Sequence, residues 1–441
     1  MGIFTSRASS RESFLSAYWT PRLPKFGIPI IMSGILIQLL FLSNMSYLYG
    51  SLFKSGSRGH ALRVLAVDYD GRDIGHALDA AYSSLRTDSF PSLEFRSASQ
   101  YPTVESVEEA MCKEGYWAAI YTHNGASDRL MAALSGDNST AYDPTDAISY
   151  TYYSSYYPIV SMSLIVSNME TLVSVASRTL YSVSTEALST VNFTSPSSAK
   201  TFLDPIRSSS IVKSPTHQGS RVLLNTVTMV MGCLMQFFFL MAVNAISGQA
   251  GVFNKMSKRD VYLSRLILSK FFTFICALCT TGYIWAFRED WFVTSSHFGK
   301  TWMAFWLYME IQYTVMDTLL EMVIPMQFWS FFVLTWVITN ITSTVYPFEL
   351  TAGFYRVGYA LPAHNLWILL MDIWSNGCKQ QRSVVLPVLL CWWLLGHIGS
   401  AWSVHKRCSL AEANAAILEK NADDMDMSRS VLQTPPEQQE V

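Results

Sequence analysis

Charge is scarce in this chain. Asp, Glu, Lys and Arg make up 15% of its 441 residues, while 50% are apolar. A soluble domain carries about a quarter charged residues. The formal net charge of -2 leaves no basic surplus to attract phosphate, so no nucleic-acid partner is expected. Catalytic signatures are missing too. The sequence holds no G-x-x-x-x-G-K-[ST], and so no P-loop ATPase of its own, and neither G-x-S-x-G nor H-E-x-x-H. Asp68 and Asp70 in DYDG start like a calcium loop, but the later ligands are absent and turn chemistry accounts for them. No catalytic residue, metal or cofactor is expected, and the chain does not read as an enzyme.

What it has is apolar runs, four of them uncharged, long enough to cross hydrocarbon at about 20 residues each. Six are legible: Phe26–Gly50, Val222–Ser247, Leu266–Phe287, Thr301–Ile324, Met326–Tyr346 and Val384–Val404. The first reads as a retained signal anchor rather than a cleaved peptide. Lys and Arg near the span ends set the orientation. Arg7, Arg11, Arg22 and Lys25, then Lys255, Lys258, Arg259 and Arg265, then Lys406 and Arg407 fall on one side. They outnumber Arg288, Lys300, Arg356, Lys379 and Arg382 on the other. Both termini are therefore expected in the cytoplasm, in a multi-pass protein of the plasma membrane or an endomembrane.

The expected domains are a cytoplasmic tail 1–25, a first transmembrane helix 26–50 and an extracytoplasmic α/β domain 51–220. Transmembrane helices two to six follow over 221–404, with a re-entrant segment near 347–383, and then a cytoplasmic tail 405–441. In the outer segment Leu62–Val67 and Trp117–Tyr121 read as strands, and Ile74–Leu85, Val104–Lys113 and Ala126–Leu134 as helices. Such alternation makes one sheet with helices on it. Tyr150–Leu188 reads as one long helix or two, and Asn192–Gly219 as a flexible return. The sequons at Asn138 and Asn192 lie in this segment and are expected to be glycosylated. Of seven cysteines only Cys112 and Cys378 face outward, so a disulfide between them is conceivable. Cys276 and Cys279 read as small packing residues, and Cys408 as a weak palmitoylation candidate.

Span four carries acids. Glu310, Asp317 and Glu321 fall near one helical face. Carboxylates in a bilayer cost a few kcal/mol each, so they face a cavity, a partner helix or one another. One reading is a polar substrate path through Glu310 and Asp317, joined by Asn225 and Gln236 of span two. The other is internal pairing with Lys270, Arg265 or those amides. His397 and Gln38 read as single helix–helix hydrogen bonds.

Between spans five and six stands PFELTAGFYRVGYALPAHN, Pro347–Asn365. Pro347 ends span five, Gly353 and Gly358 permit turns, and Pro362 opens a helix too short to cross. The segment is expected to dip into the outer leaflet, with Glu349, Arg356, His364 and Asn365 at the outer mouth.

This motif and layout resemble the membrane subunits of type-2 ABC exporters, and most closely the fungal nitrosoguanidine-resistance protein family. LRVLAVDYDG and GYWAAIYTHNGASDRL are similar to the outer domain of phage-infection-type membrane proteins. The resemblance implies resistance to toxic compounds and lipid redistribution across the plasma membrane. The leading expectation is a permease-like exporter of amphiphilic compounds; the alternative is a regulator or scaffold whose outer domain binds partners. Membrane lipids are the expected partners, with a separate ATPase subunit and a homodimer as further candidates.

Overall fold

The computed structural model describes residues 16–17, 20–21, 23–136, 142–213, 219–320, 322–378 and 381–432, with side chains as far as Lys420. Asn138, Glu321 and Lys379 lie outside the described residues. The described residues up to Gly50 form one compact unit and those from Ser51 onward another. The first unit is dominated by helix α1 (Leu23–Leu52), 30 residues long. At 1.5 Å per residue it extends about 45 Å, more than a hydrocarbon core requires.

The second unit begins with a sheet and its helices. These are β1 (Arg63–Asp68), α2 (Asp73–Leu85), β2 (Ser92–Ser97), α3 (Val104–Lys113), β3 (Ala118–Thr122), α4 (Ala126–Ser135) and β4 (Ile148–Tyr153). Then α5 (Pro158–Val160) runs through a π-helical stretch, Ser161–Val166, into α6 (Ser167–Val183); α7 (Thr185–Thr190), α8 (Pro196–Leu203) and β5 (Ser208–Lys213) follow. The strands pair in the order β2-β1-β3-β4-β5. β1 is parallel to both neighbours, β4 runs antiparallel to β3, and β5 is parallel to β4. The two central strands VLAV and AAIYT are buried along their length, as parallel strands covered on both faces must be. Val64, Ala66, Ala118 and Ile120 join the core under α2, α4 and α6, whereas Leu65, Val67, Ala119 and Tyr121 meet Val107 and Met111 of α3.

Two expectations are corrected here. Tyr150–Leu188 is not wholly helical: its start belongs to β4, where Ile148, Tyr150 and Tyr152 alternate into the core. The Asn192–Gly219 return contains α8 and β5. SSSIVK is a poor strand sequence by itself, and its order comes from the β4 ladder.

The rest is helical: α9 (Val227–Gln249), α10 (Val252–Lys255), α11 (Lys258–Ala286), α12 (Ser295–Leu319), α13 (Trp329–Val345), α14 (Pro362–Trp374) and α15 (Arg382–Leu432). Among the described residues, six helices are long and apolar enough to cross a membrane: Leu23–Leu52, Pro158–Val183, Val227–Gln249, Lys258–Ala286, Met326–Val345 and Arg382–Lys420. This set exchanges one member with the spans read from hydropathy. Pro158–Val183 meets the criterion but packs against α2 of the sheet. The fourth expected span, now α12, does not meet it, yet every residue from Tyr308 to Asp317 is buried among α9, α11, α14 and α15. Composition alone does not separate a helix that covers a sheet from one that faces lipid.

α14 is buried at every position from Pro362 to Trp374. Thirteen residues span about 20 Å, too short to cross a bilayer, and a helix apolar all round needs neighbours all round. Those neighbours include α12, α13 and α15. The sheet and bundle share one continuous core. Cys112 at the end of α3 is disulfide-bonded to Cys378 just beyond α14, and Tyr157 packs edge-on to Trp367, ring centres 5.9 Å apart.

Candidate functional site

The buried acids of α12 each centre a cluster of ionisable groups, and the two clusters stand seven residues apart on that helix. One wall of each is α15, which lies very close to α12. A Cβ at Gly396 would stand 2.2 Å from Thr314 Oγ1, and one at Gly399 2.6 Å from Thr318. Small residues at this crossing let backbones approach. They bring His397, Ser400, Ser403 and Arg407, spaced three to four residues apart, onto the acids of α12.

The first cluster centres on Glu310. Its Oε2 pairs with Lys270 Nζ of α11, and its Oε1 accepts from Thr273 Oγ1 at 2.5 Å. Lys270 Nζ is 2.9 Å from His397 Nε2, which stands 3.6 Å from Glu310 Oε2. The ammonium also lies over the Trp393 ring, 4.9 Å from its centre. Glu310, with 2% of its side chain exposed, is sealed, whereas Lys270 keeps 29%. The ion pair therefore reaches from the bundle interior to its surface.

The second cluster centres on Asp317. Oδ1 accepts from Arg265 Nη2 at 2.5 Å and Arg407 Nη2 at 3.0 Å, and Oδ2 accepts from the Ser400 hydroxyl. Asn244 Oδ1 accepts from both arginines, at 2.9 and 3.0 Å. Arg407 Nη2 and Ser403 Oγ also donate to the Asp317 carbonyl, at 2.6 and 2.8 Å, and so satisfy the end of α12. Asp317 is 0% exposed and its arginines 4–5%. This cluster is closed.

The two remaining path candidates do not join either cluster. Asn225 donates to the Thr344 carbonyl at 2.8 Å, and its own carbonyl accepts from Thr344 Oγ1 at 2.6 Å, tying α9 to the end of α13. Gln236 is fully buried beside Cys276. Spacing could have pointed to the α15 face, since His397, Ser400, Ser403 and Arg407 follow helical steps. Nothing in the sequence marks Asn244 or Thr273 as their partners.

The residues expected at the outer mouth divide by role. Glu349 and Arg356 are exposed and make no ion pair with each other among the described residues. His364 is buried, with Nδ1 3.1 Å from the Ser343 carbonyl and its ring against Phe348 and Tyr359. Asn365 donates to the Tyr359 and Leu361 carbonyls, both at 2.8 Å, and fixes the turn into α14. Asn192 accepts from Thr194 N at 3.1 Å and is half-buried. Cys276 and Cys279 are free thiols, and Cys408 is fully buried against Val261 and Val404 rather than presented to a lipid surface.

A family described as "Protein of unknown function (DUF3533)" matches residues 33–398. The chain belongs to that family. The match takes in all of the Glu310 cluster of this DUF3533 protein but ends before Ser400 and Arg407. An uncharacterized endoplasmic reticulum membrane protein of Saccharomyces cerevisiae is 32% identical over 111 residues, 23% of this chain and 21% of that protein. The DUF3533 chain thus aligns with about a fifth of that relative. No solved structure matches it. Together with the long apolar helices, these likenesses place it in a membrane-protein family.

Proposed function

We propose that the protein is a multi-pass permease that moves amphiphilic compounds across its bilayer, with the Glu310–Lys270–His397 cluster as the point where a polar or cationic group passes. The observation that carries this reading is the contrast between the two clusters. Asp317 is saturated and sealed, as an architectural clasp would be. Glu310 holds an ammonium that is itself partly exposed and shared with an imidazole. Intramembrane ionisable groups with accessible partners mark substrate and proton routes.

The resemblance to nitrosoguanidine-resistance proteins and type-2 ABC exporter subunits supports export of toxic compounds, or movement of lipids, as the direction of this activity. A partner ATPase and a homodimer belong to the same proposal. The charge bias supports cytoplasmic termini and a sheet domain on the far side, and the disulfide is consistent with an oxidising compartment there. The yeast relative's name places that protein in the endoplasmic reticulum membrane, which supports an endomembrane site here, beside the plasma membrane expected from the resemblance. Glycosidase-sensitive mobility from Asn138 or Asn192 tests the orientation; a cytoplasmic tag accessible near Ser139 would overturn it.

The second reading is a regulator or scaffold, favoured by the disulfide that fastens the sheet domain to the bundle. Efflux of a fluorescent cationic amphiphile from vesicles containing only this protein separates the two. Flux above empty vesicles supports the permease; none removes an autonomous one.

A further inference from the structure

A small, half-enclosed cavity lies where the sheet domain meets α14. Tyr153, the last residue of β4, and Tyr156 beyond it form one wall, and Met371, Asp372 and Ser375 of α14 and its following turn form the other, with Gln381 beside them. Asp372 is 2% exposed. Its Oδ2 takes the guanidinium of Arg382, whose side chain is half-exposed. Its Oδ1 is buried and has no hydrogen-bond partner among the described residues. A buried carboxylate oxygen without a donor is costly, and native structures satisfy such atoms through a ligand, ion or water.

We propose that this cavity binds the ammonium end of a primary amine, with Asp372 Oδ1 as its acceptor. An ammonium supplies both the missing donor and a positive charge, and its three N–H groups can be shared with the neighbouring hydroxyls. The tyrosine and thioether walls suit it as well, since aromatic faces attract cations and methionine adapts to an alkyl stem. The cavity has room for a few heavy atoms only, so the ammonium enters and the chain points out through the open side. A carboxylate shared between a guanidinium and an ammonium is a common charge-assisted arrangement. The seam that holds the walls together is covalent: Cys378, six residues after Asp372, also lines the cavity and is bonded to Cys112. This inference does not depend on transport, because a receptor-like domain would use the same site.

The test uses the full chain purified in detergent and n-butylammonium chloride as the probe, with 1-butanol as its neutral counterpart, read by saturation-transfer NMR. Butylammonium binds the wild type saturably and 1-butanol does not. Asp372→Asn keeps the shape, removes the charge and weakens binding about tenfold or more, as loss of a charged hydrogen bond does. Arg382→Gln leaves the carboxylate to the ligand alone and tightens binding. This variant keeps Asp372, so it tests the site even if Asp372→Asn fails to accumulate. Wild-type affinity in Asp372→Asn, weaker binding in Arg382→Gln, or equal saturable binding of 1-butanol, meaning that water or any neutral donor fills the cavity, each overturns the proposal.

Discussion

Cys112 and Cys378 are separated by 266 residues of chain and joined by a disulfide. The bond fastens α3 of the sheet domain to the turn that leaves the buried α14. Cross-links that close long loops restrict the unfolded chain most, typically by about 2–4 kcal/mol. Cys112→Ser should therefore lower unfolding stability in detergent by about that amount. The Cys112→Ser/Cys378→Ser pair should lose no more than either single variant. A clear further loss in the double variant would show that the thiols act separately.

Glu310 divides transport from architecture. Glu310→Gln keeps shape and hydrogen bonds to Thr273 and Lys270 within reach, so abundance should stay near wild type while vesicle flux falls and its pH dependence changes. Glu310→Leu strands the Lys270 ammonium and should reduce abundance, since breaking a buried pair from one side costs about 3–5 kcal/mol. Normal flux and pH response in Glu310→Gln, at normal abundance, would end the path reading of this residue.

Asp317 should behave in the opposite way. Asp317→Ala leaves two buried guanidiniums without their shared carboxylate and should destabilise the bundle by about 3–5 kcal/mol. Replacing the cluster together, as Asp317→Leu, Arg265→Met and Arg407→Met, should recover most of the lost abundance, because apolar groups of similar volume need no partner. Pulse-chase turnover measures both. A triple variant as unstable as Asp317→Ala would mean that the charges do more than clasp helices.

Acid should loosen the sheet domain in two stages. His123 sits beside Ser149, Nε2 to Oγ 2.7 Å, and burial pulls its pKa below 6.5. The folded state resists protonating it, so its contribution is complete above pH 6.5 and declines as pH falls below that value. Glu94 is held by Arg63, which donates at 2.5 and 3.1 Å, and by Arg96 and Tyr116. Chiefly through the Arg63 bond, its pKa falls from 4.5 to about 2. That contribution is complete above pH 4.5 and disappears as pH drops towards 2. Thermal unfolding followed by tyrosine near-ultraviolet dichroism should show a shallower upper step in His123→Gln and a shallower lower step in Glu94→Gln. Unchanged profiles in both would remove these groups from the acid response.

Several features of this protein were set by local sequence alone. Uncharged runs of twenty or more residues declare a membrane protein, because no other solvent suits them. The helices α2, α3 and α4 and the strands β1 and β3 followed from periodicity, since each hides a regular apolar face. Pro347, Gly358 and Pro362 announced the break before α14, for these residues act through backbone geometry that neighbours do not change. Tertiary structure decided the rest. Composition did not tell Pro158–Val183, which covers the sheet, from a lipid-facing helix, because burial against a sheet and exposure to lipid select the same side chains. β5 has almost no strand signal and is ordered by the β4 edge. The acids of α12 had to find partners, and Lys270 and Arg265 of α11 were already candidates, but His397 and Arg407 reach them because Gly396 and Gly399 let α15 close onto α12. Pairing of charges follows helix crossing, and a helix crossing is a property of two surfaces that lie far apart in the chain.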